Sequence, residues 1–224
     1  MSFRNRAEAG RKLAHALAHY KSEESVILAL PRGGVVVAAE IAAFLDAPVD
    51  LILVRKIGVP SQPELAMGAV ADGGSPLVVR NDDVIAMGGI SEEEFREVCE
   101  AELAEIERRR ERYLGGRERI EAAGRIAIVV DDGIATGATT RAALRAARLR
   151  HPKKLVLAVP VAPSEVLPLM RKEADEVICL EDHEYFGAIG FYYSDFRQIS
   201  DQEVIETLAR FCGPRPGAAR HTAT

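Results

Sequence analysis

Along this chain, short apolar runs alternate with longer segments whose apolar positions recur every three or four residues, the pattern of strands and helices taken in turn. Residues 7–19 show helical spacing, and the apolar run 26–30 that follows ends in Pro31, Arg32, Gly33 and Gly34. The stretch 35–45 stays apolar too long for one strand, so a helix is predicted there despite its three valines. Runs at 51–54, 65–70 and 77–80 read as strands, the last two joined through the turn-rich residues 72–76 as a hairpin. A long helix is predicted from residue 91 to about 114, because Ser91 and Glu94 have capping-box spacing. The basic run RRRER at 108–112 complements the dipole at its end and reads as solvated. Further on come an apolar strand and an alanine-rich helix within 125–148, then strands at 155–161 and 176–180 around a helix at 164–172. Such β-α alternation implies an α/β fold: a mostly parallel central sheet with helices on both faces. A single domain over 1–212 is expected, with the small, polar, proline-containing residues 213–224 as a disordered tail.

Composition narrows the class. A chain of 224 residues with 48% hydrophobic content can bury a sizeable core in one domain. The net charge of -5, without a basic patch interleaved by aromatics, argues against nucleic acid as a partner. Cys99, Cys179 and Cys212 form no C-x-x-C pair, so neither a disulfide framework nor a zinc site is expected, and a reduced compartment is. The first residues lack the apolar core of a signal peptide, and no run approaches the roughly 20 apolar residues of a membrane span. A soluble, cytoplasmic protein is the expectation. His15 and His19 share a helix face but have no evident third ligand, so they read as exposed surface rather than a metal site.

The chemistry concentrates in residues 125–141, RIAIVVDDGIATGATTR. At the carboxyl end of a buried strand the chain turns into a helix, whose first N–H groups can surround a phosphate. Gly137, the small Ala135 and Ala138, and the hydroxyls of Thr136, Thr139 and Thr140 suit such a cradle. A Walker loop needs G-x-x-x-x-G-K-[ST] and a dinucleotide fingerprint needs G-x-G-x-x-G; neither spacing is present. Asp131 and Asp132 would repel phosphate unless they face hydrogen-bond donors such as sugar hydroxyls. A sugar 5-phosphate satisfies both halves of the motif.

Two acids followed by a small-Thr-Gly-x-Thr turn resemble the phosphoribosyl diphosphate (PRPP) loop of the type I phosphoribosyltransferases. The resemblance implies that family's fold, with a small hood over the central sheet. It implies that Asp131 and Asp132 hold the ribose hydroxyls while Ala135, Thr136, Gly137, Ala138 and Thr139 hold the 5-phosphate. Gly133 departs from the pattern, standing where a branched apolar residue is usual. Arg32, Gly33 and Gly34 lie in a loop similar to the family's diphosphate loop, and the double glycine allows close backbone approach. Lys56 matches the family's basic residue at a strand end, and the proline-rich segment 58–64 suits a mobile loop in which Glu64 is a solvated acid. Mg2+ is the implied cofactor, bridging diphosphate and ribose with Asp131 or Asp132 ligating it through water. Arg32, Lys56, Asp131 and Asp132 are thus the implied catalytic set, and a homodimer is a family habit.

The accepting base is less legible. The 6-oxopurine branch has a third acid where this chain has Ala135, so the loop is closer to the adenine branch. Six of the twelve Phe and Tyr residues fall within 183–196, HEYFGAIGFYYSDF. Phe191, Tyr192 and Tyr193 are candidates to stack on a nucleobase in a hood formed with the N-terminal segment, with Gly187 and Gly190 exposing backbone to its edge. The competing reading is a satellite core. PRGGVVVA, VRKIG and VVDDGIATGAT together resemble a bacterial group of phosphoribosyltransferases. Two functions follow from the resemblance: transfer of a phosphoribosyl group from PRPP to a nitrogen nucleophile, or non-catalytic sensing of PRPP or nucleotide at the same site.

Overall fold

The computed structural model describes residues 2–72 and 76–211; Cys212, the expected tail 213–224 and the hairpin tip 73–75 lie outside the described residues. Among the described residues the strands are β1 (Ser25–Ala29), β2 (Val49–Leu51), β3 (Val54–Val59), β4 (Gln62–Ala71), β5 (Leu77–Arg80), β6 (Ile126–Val130), β7 (Lys154–Pro163) and β8 (Glu176–His183). The helices are α1 (Arg6–Ala16), α2 (Gly33–Leu45), α3 (Asp82–Gly88), α4 (Glu92–Leu114), α5 (Ala138–Arg148), α6 (Leu167–Glu173) and α7 (Asp201–Ala209).

Five strands form a parallel sheet in the order β2-β1-β6-β7-β8. Side chains alternate between its faces, and both faces are buried. Ile27, Ile128, Val130 and Val156 enter one apolar cluster with residues of α1, α2, α4 and α7. Leu28, Ala127, Val129 and Leu157 enter another with residues of α5 and α6. That double burial is why these strands read as unbroken apolar runs instead of alternating ones. It also confirms the α/β expectation of a parallel sheet covered on both sides.

The segment predicted as one strand at 51–54 is two. The chain leaves the parallel sheet after Leu51, which pairs with Ala29, and joins an antiparallel sheet at Val54, which pairs with Ala71. The apolar run hides the change because Ile52 and Leu53 remain buried while their partners switch. Asp72 holds the crossover: its Oδ1 accepts from the Leu53 N–H at 2.9 Å, and its own N–H donates to the Leu53 carbonyl at 2.8 Å. The smaller sheet, β3-β4-β5, contains the expected hairpin and also absorbs segment 58–64, which turns between β3 and β4 instead of forming an open loop. Pairing of Val59 with Gln62 supplies the backbone bonds that its two prolines had argued against.

The capping box of α4 is present, with Ser91 and Glu94 each bonded to the other's backbone. A second one, Ser200 with Glu203, starts α7, an element the apolar pattern had not indicated. The basic run 108–112 is only partly a solvated end. Arg110 is nearly buried and donates to Asp72 Oδ2 at 2.9 Å, while Arg150 donates to Asp50 Oδ2 at 3.2 Å. Asp50 and Asp72 are both buried, and the Ile120 N–H also donates to Asp50. Charges so placed are tolerated because each meets an opposite partner. The cluster ties α4 to the crossover between the two sheets.

Removing Asp72 takes from nearly buried Arg110 its hydrogen-bonded carboxylate and leaves only Asp50, 3.9 Å away, so Asp72→Ala should cost about 3–5 kcal/mol in urea unfolding. Glu23→Ala, at an exposed pair with Lys153, should cost no more than about 1 kcal/mol. Equal effects at the two sites would remove the structural role given to the cluster.

Candidate active site

Strand β6 delivers Asp131 and Asp132 to the carboxyl edge of the sheet, between its neighbours β1 and β7. Seven residues separate β6 from α5, and Gly137 caps the helix with φ of 78°. A Cβ at Gly137 would also meet Val166 Cγ1 at 2.7 Å, so both conformation and packing require glycine. No side chain caps α5. Its first-turn amides, through Thr140, therefore have no carbonyl one turn earlier in the helix, an arrangement that can bind an anion. Ala135, Thr136, Ala138 and Thr139 are exposed around them, whereas Thr140 is buried.

The two acids differ in environment. Asp131 Oδ1 accepts from the Asp132 N–H at 2.8 Å. Burial, and then the neighbouring Asp132 charge, push the Asp131 carboxyl well above the ordinary range. Asp132 is held by a residue that the sequence reading assigned no role: Arg6 Nε donates to its Oδ2 at 2.6 Å. Arg6 also donates through Nη1 to the Arg197 carbonyl at 2.8 Å and lies 3.8 Å from the centre of the Phe196 ring. Arg6 stands in the first turn of α1, and Asn5 before it accepts from the Glu8 N–H and begins that helix.

Gly33 and Gly34 serve the meeting of two loops. A Cβ at Gly33 would overlap the Asp132 carboxylate, and one at Gly34 would stand 2.7 Å from the Val130 carbonyl. The close approach read from the double glycine is therefore made to β6 and the acids. The Pro31–Arg32 peptide bond is cis. Arg32 Nη1 lies 3.6 Å from Asp201 Oδ1 on α7, and Lys56 Nζ lies 3.0 Å from the exposed Glu64 carboxylate. Pro31 and Thr139 line one cavity of about 30 Å³, while Lys56 lines a neighbouring one of about 440 Å³. Pro31 of the glycine loop and Thr139 of the turn thus meet in one cavity with Lys56 on its flank, whereas Arg32 lines another, of about 150 Å³, with Asp201.

The aromatic segment joins the N-terminus. Ser2 and Phe3 N–H groups donate to the Tyr192 carbonyl, and Ser194 N–H returns a bond to Phe3. Tyr193 is corrected as a stacking candidate: it is 2% exposed and packs with Phe3, Ala9 and Val161. Its hydroxyl donates to the Asp132 carbonyl at 2.6 Å, so the ring supports the acidic loop from beneath. Tyr192 stacks between His183 and Phe186 at 4.5 and 4.9 Å, and Phe191 stays 71% exposed. Gly187 and Gly190 make room for the rings of Phe191 and Phe196. Gly133, the departure from the family pattern, has a physical reason here. A Cβ there would meet Ile189 Cγ2 at 2.6 Å, so a branched residue would push away the turn that carries Phe191.

Because folding raises the Asp131 pKa, the folded chain holds that proton more tightly than the unfolded one. Stability linked to it is present at low pH and is lost as pH climbs from the ordinary carboxyl range through the folded value. Asp131→Asn escapes this loss. Its urea midpoint should exceed that of the unsubstituted chain at pH 8, with the gap closing as pH approaches 4; a less stable variant at pH 8 contradicts the assignment.

A family model described as "Phosphoribosyl transferase domain" matches residues 4–195. The chain is 47% identical over 208 residues to "Putative phosphoribosyl transferase Rv0571c" of Mycobacterium tuberculosis (strain ATCC 25618 / H37Rv), covering 93% of this chain and 46% of the relative. The same identity and coverage hold for "Putative phosphoribosyl transferase MT0597" of Mycobacterium tuberculosis strain CDC 1551 / Oshkosh. The chain spans about half the length of these curated relatives. The crystal structure of TT1426 from Thermus thermophilus superposes with a TM-score of 0.81 at 39% identity, covering 95% of this chain and all of that one. Among the described residues no helix is long and apolar enough to cross a membrane. The paired acids, the uncapped helix start and the loop packed against them accord with a match that spans most of the sequence, and the chain belongs to the phosphoribosyl transferase domain family.

Proposed function

We propose that this chain transfers the 5-phosphoribosyl group of PRPP to a ring nitrogen of a nucleobase and releases diphosphate. The observation that carries this reading is the placement of Asp131 and Asp132 directly before an uncapped helix start, with Gly33 packed on the second acid. The C1–O bond to diphosphate breaks with its electron pair leaving on oxygen. The nitrogen lone pair forms the new C1–N bond, and the proton on that nitrogen passes to solvent. Positive charge grows on the ribose and negative charge on the leaving group, so fixed charges on each side lower the barrier.

The residues divide accordingly. Amides of residues 136–140 bind the 5-phosphate, and each charge-assisted bond contributes roughly 1.5–3 kcal/mol. Asp131 and Asp132 accept from the ribose hydroxyls; Arg6 fixes the second carboxylate while leaving its other oxygen for sugar. Arg32, Lys56 and the Gly33 and Gly34 amides receive diphosphate. Arg32 rests on the partly exposed Asp201 and Lys56 on the exposed Glu64, and such pairs are weak enough for a doubly charged ligand to displace. Phe191 offers the open face for the base, with Tyr192 behind it.

Mg2+ suits this donor set. No cluster of three or more metal-ligating side chains occurs among the described residues, and two carboxylates beside a phosphate turn fit a hard cation that keeps waters and takes its other oxygens from substrate. When bound, it would neutralise charge on the departing diphosphate.

A nucleobase panel incubated with PRPP and Mg2+ should give diphosphate release that depends on one base. Tight PRPP binding without turnover across the panel would instead establish the sensing function. The double variant Asp131→Asn with Asp132→Asn should lose PRPP binding in calorimetry while keeping its circular dichroism spectrum; unchanged affinity sinks the ribose assignment. Stacking on one aromatic is worth about 1–3 kcal/mol. Phe191→Ala should therefore raise the KM for the base roughly tenfold and leave that for PRPP unaltered.

A further inference from the structure

The side of α4 facing the Pro31–Gly34 loop carries charge that the assignments above leave unused. Arg109 borders three adjoining cavities. It meets Pro31 and Thr139 in the first and Lys56 in the second. In the third, of about 150 Å³, it stands with Arg32, Arg108, Arg112, Tyr113 and Asp201. One guanidinium therefore sits where the diphosphate loop, the phosphate turn and the lysine strand converge. Its Nε donates to Glu105 Oε1 at 2.7 Å, and its other two nitrogens make no hydrogen bond among the described residues. The neighbouring Arg110, anchored on Asp72, fixes the rotation of the helix that presents it.

Four guanidinium groups line this cavity against two carboxylates: Glu105 pairs with Arg108 and Arg109, and Asp201 with Arg112 and Arg32. Asp201 accepts from the Tyr113 hydroxyl at 2.7 Å and lies 2.9 Å from Arg112 Nη2 and 3.6 Å from Arg32 Nη1. The Tyr113 hydrogen bond, with Arg112 and Arg32, holds its carboxyl below the usual range. Like charges gathered in a cleft repel one another and focus a field that draws an anion. A forked guanidinium matches two phosphoryl oxygens at once.

We propose that Arg109, with Arg112 beside it, completes the site for the leaving diphosphate, receiving it from the α4 side while Arg32 and the glycine amides receive it from the loop side. The inference rests on the phosphoribosyl-transfer reading above. Charge from the broken C1–O bond grows on the side where these guanidinium groups stand, so Arg109 assists departure as well as binding.

Isothermal titration of inorganic diphosphate, and separately of ribose 5-phosphate, in magnesium buffer tests this with Arg109→Gln and Arg109→Lys. The Gln variant should bind diphosphate roughly 10- to 100-fold more weakly, the Lys variant should recover part of the loss, and ribose 5-phosphate affinity should not change. Unchanged diphosphate affinity overturns the proposal. So does an equal loss for both ligands, which marks a distorted fold, or failure of the unsubstituted chain to bind diphosphate. If the unsubstituted chain binds diphosphate but not ribose 5-phosphate, the phosphoribosyl reading fails, while the comparison of variants still judges Arg109.

Discussion

Two adjacent carboxylates at the end of a buried strand are the constraint around which this molecule is organised. At an effective dielectric of about 20, like charges roughly 5 Å apart repel by about 3 kcal/mol, and burial adds to the cost. The chain answers from sequence positions far apart. Arg6 neutralises Asp132 from the N-terminal helix, and Tyr193 fixes the Asp132 carbonyl from the other end of the fold. Asp131 is left with a raised pKa, a destabilised group of the kind that marks a ligand site. Hydroxyl donors of a sugar would relieve what the protein alone leaves unsatisfied.

The same contacts explain why the N-terminus and the aromatic segment are one structure. Ser2, Phe3 and Arg4 pair with residues 192–195, and Arg6 lies against Phe196. The layer beneath the acids and the exposed Phe191 above it are continuous, joined by the Ile189–Tyr192 turn that Gly133 admits. Displacement of that layer would move the Asp132 carboxylate and the candidate base face together. On the opposite flank, the Asp50, Asp72, Arg110 and Arg150 cluster gives α4 a fixed orientation relative to the crossover. One polar network thus secures the acidic loop and another the orientation of α4.

Much of this was legible in local patterns. The capping box at Ser91, the doubly buried strands and the acid-turn-helix order of residues 125–141 each depend on neighbours within a few positions. Errors arose where a residue's role was set by a distant partner. The apolar run 51–54 looks continuous although its hydrogen-bond partners change after Leu51. Tyr193 resembles Phe191 in sequence, yet one is buried against Phe3 and the other is open. The RRRER run has the composition of a solvated helix end, but the long-range carboxylate of Asp72 draws Arg110 inward.

The sequence by itself determined the fold class and the placing of two acids at a strand end before a glycine- and threonine-rich turn into a helix, because strand and helix periodicity and turn chemistry are written within short windows. Tertiary structure alone decided that Arg6 grips Asp132, that Tyr193 is a strut, and that Arg109 stands at the junction of three cavities. Those facts depend on contacts between residues as much as 126 positions apart, for which periodicity has no signal and only packing supplies the distance.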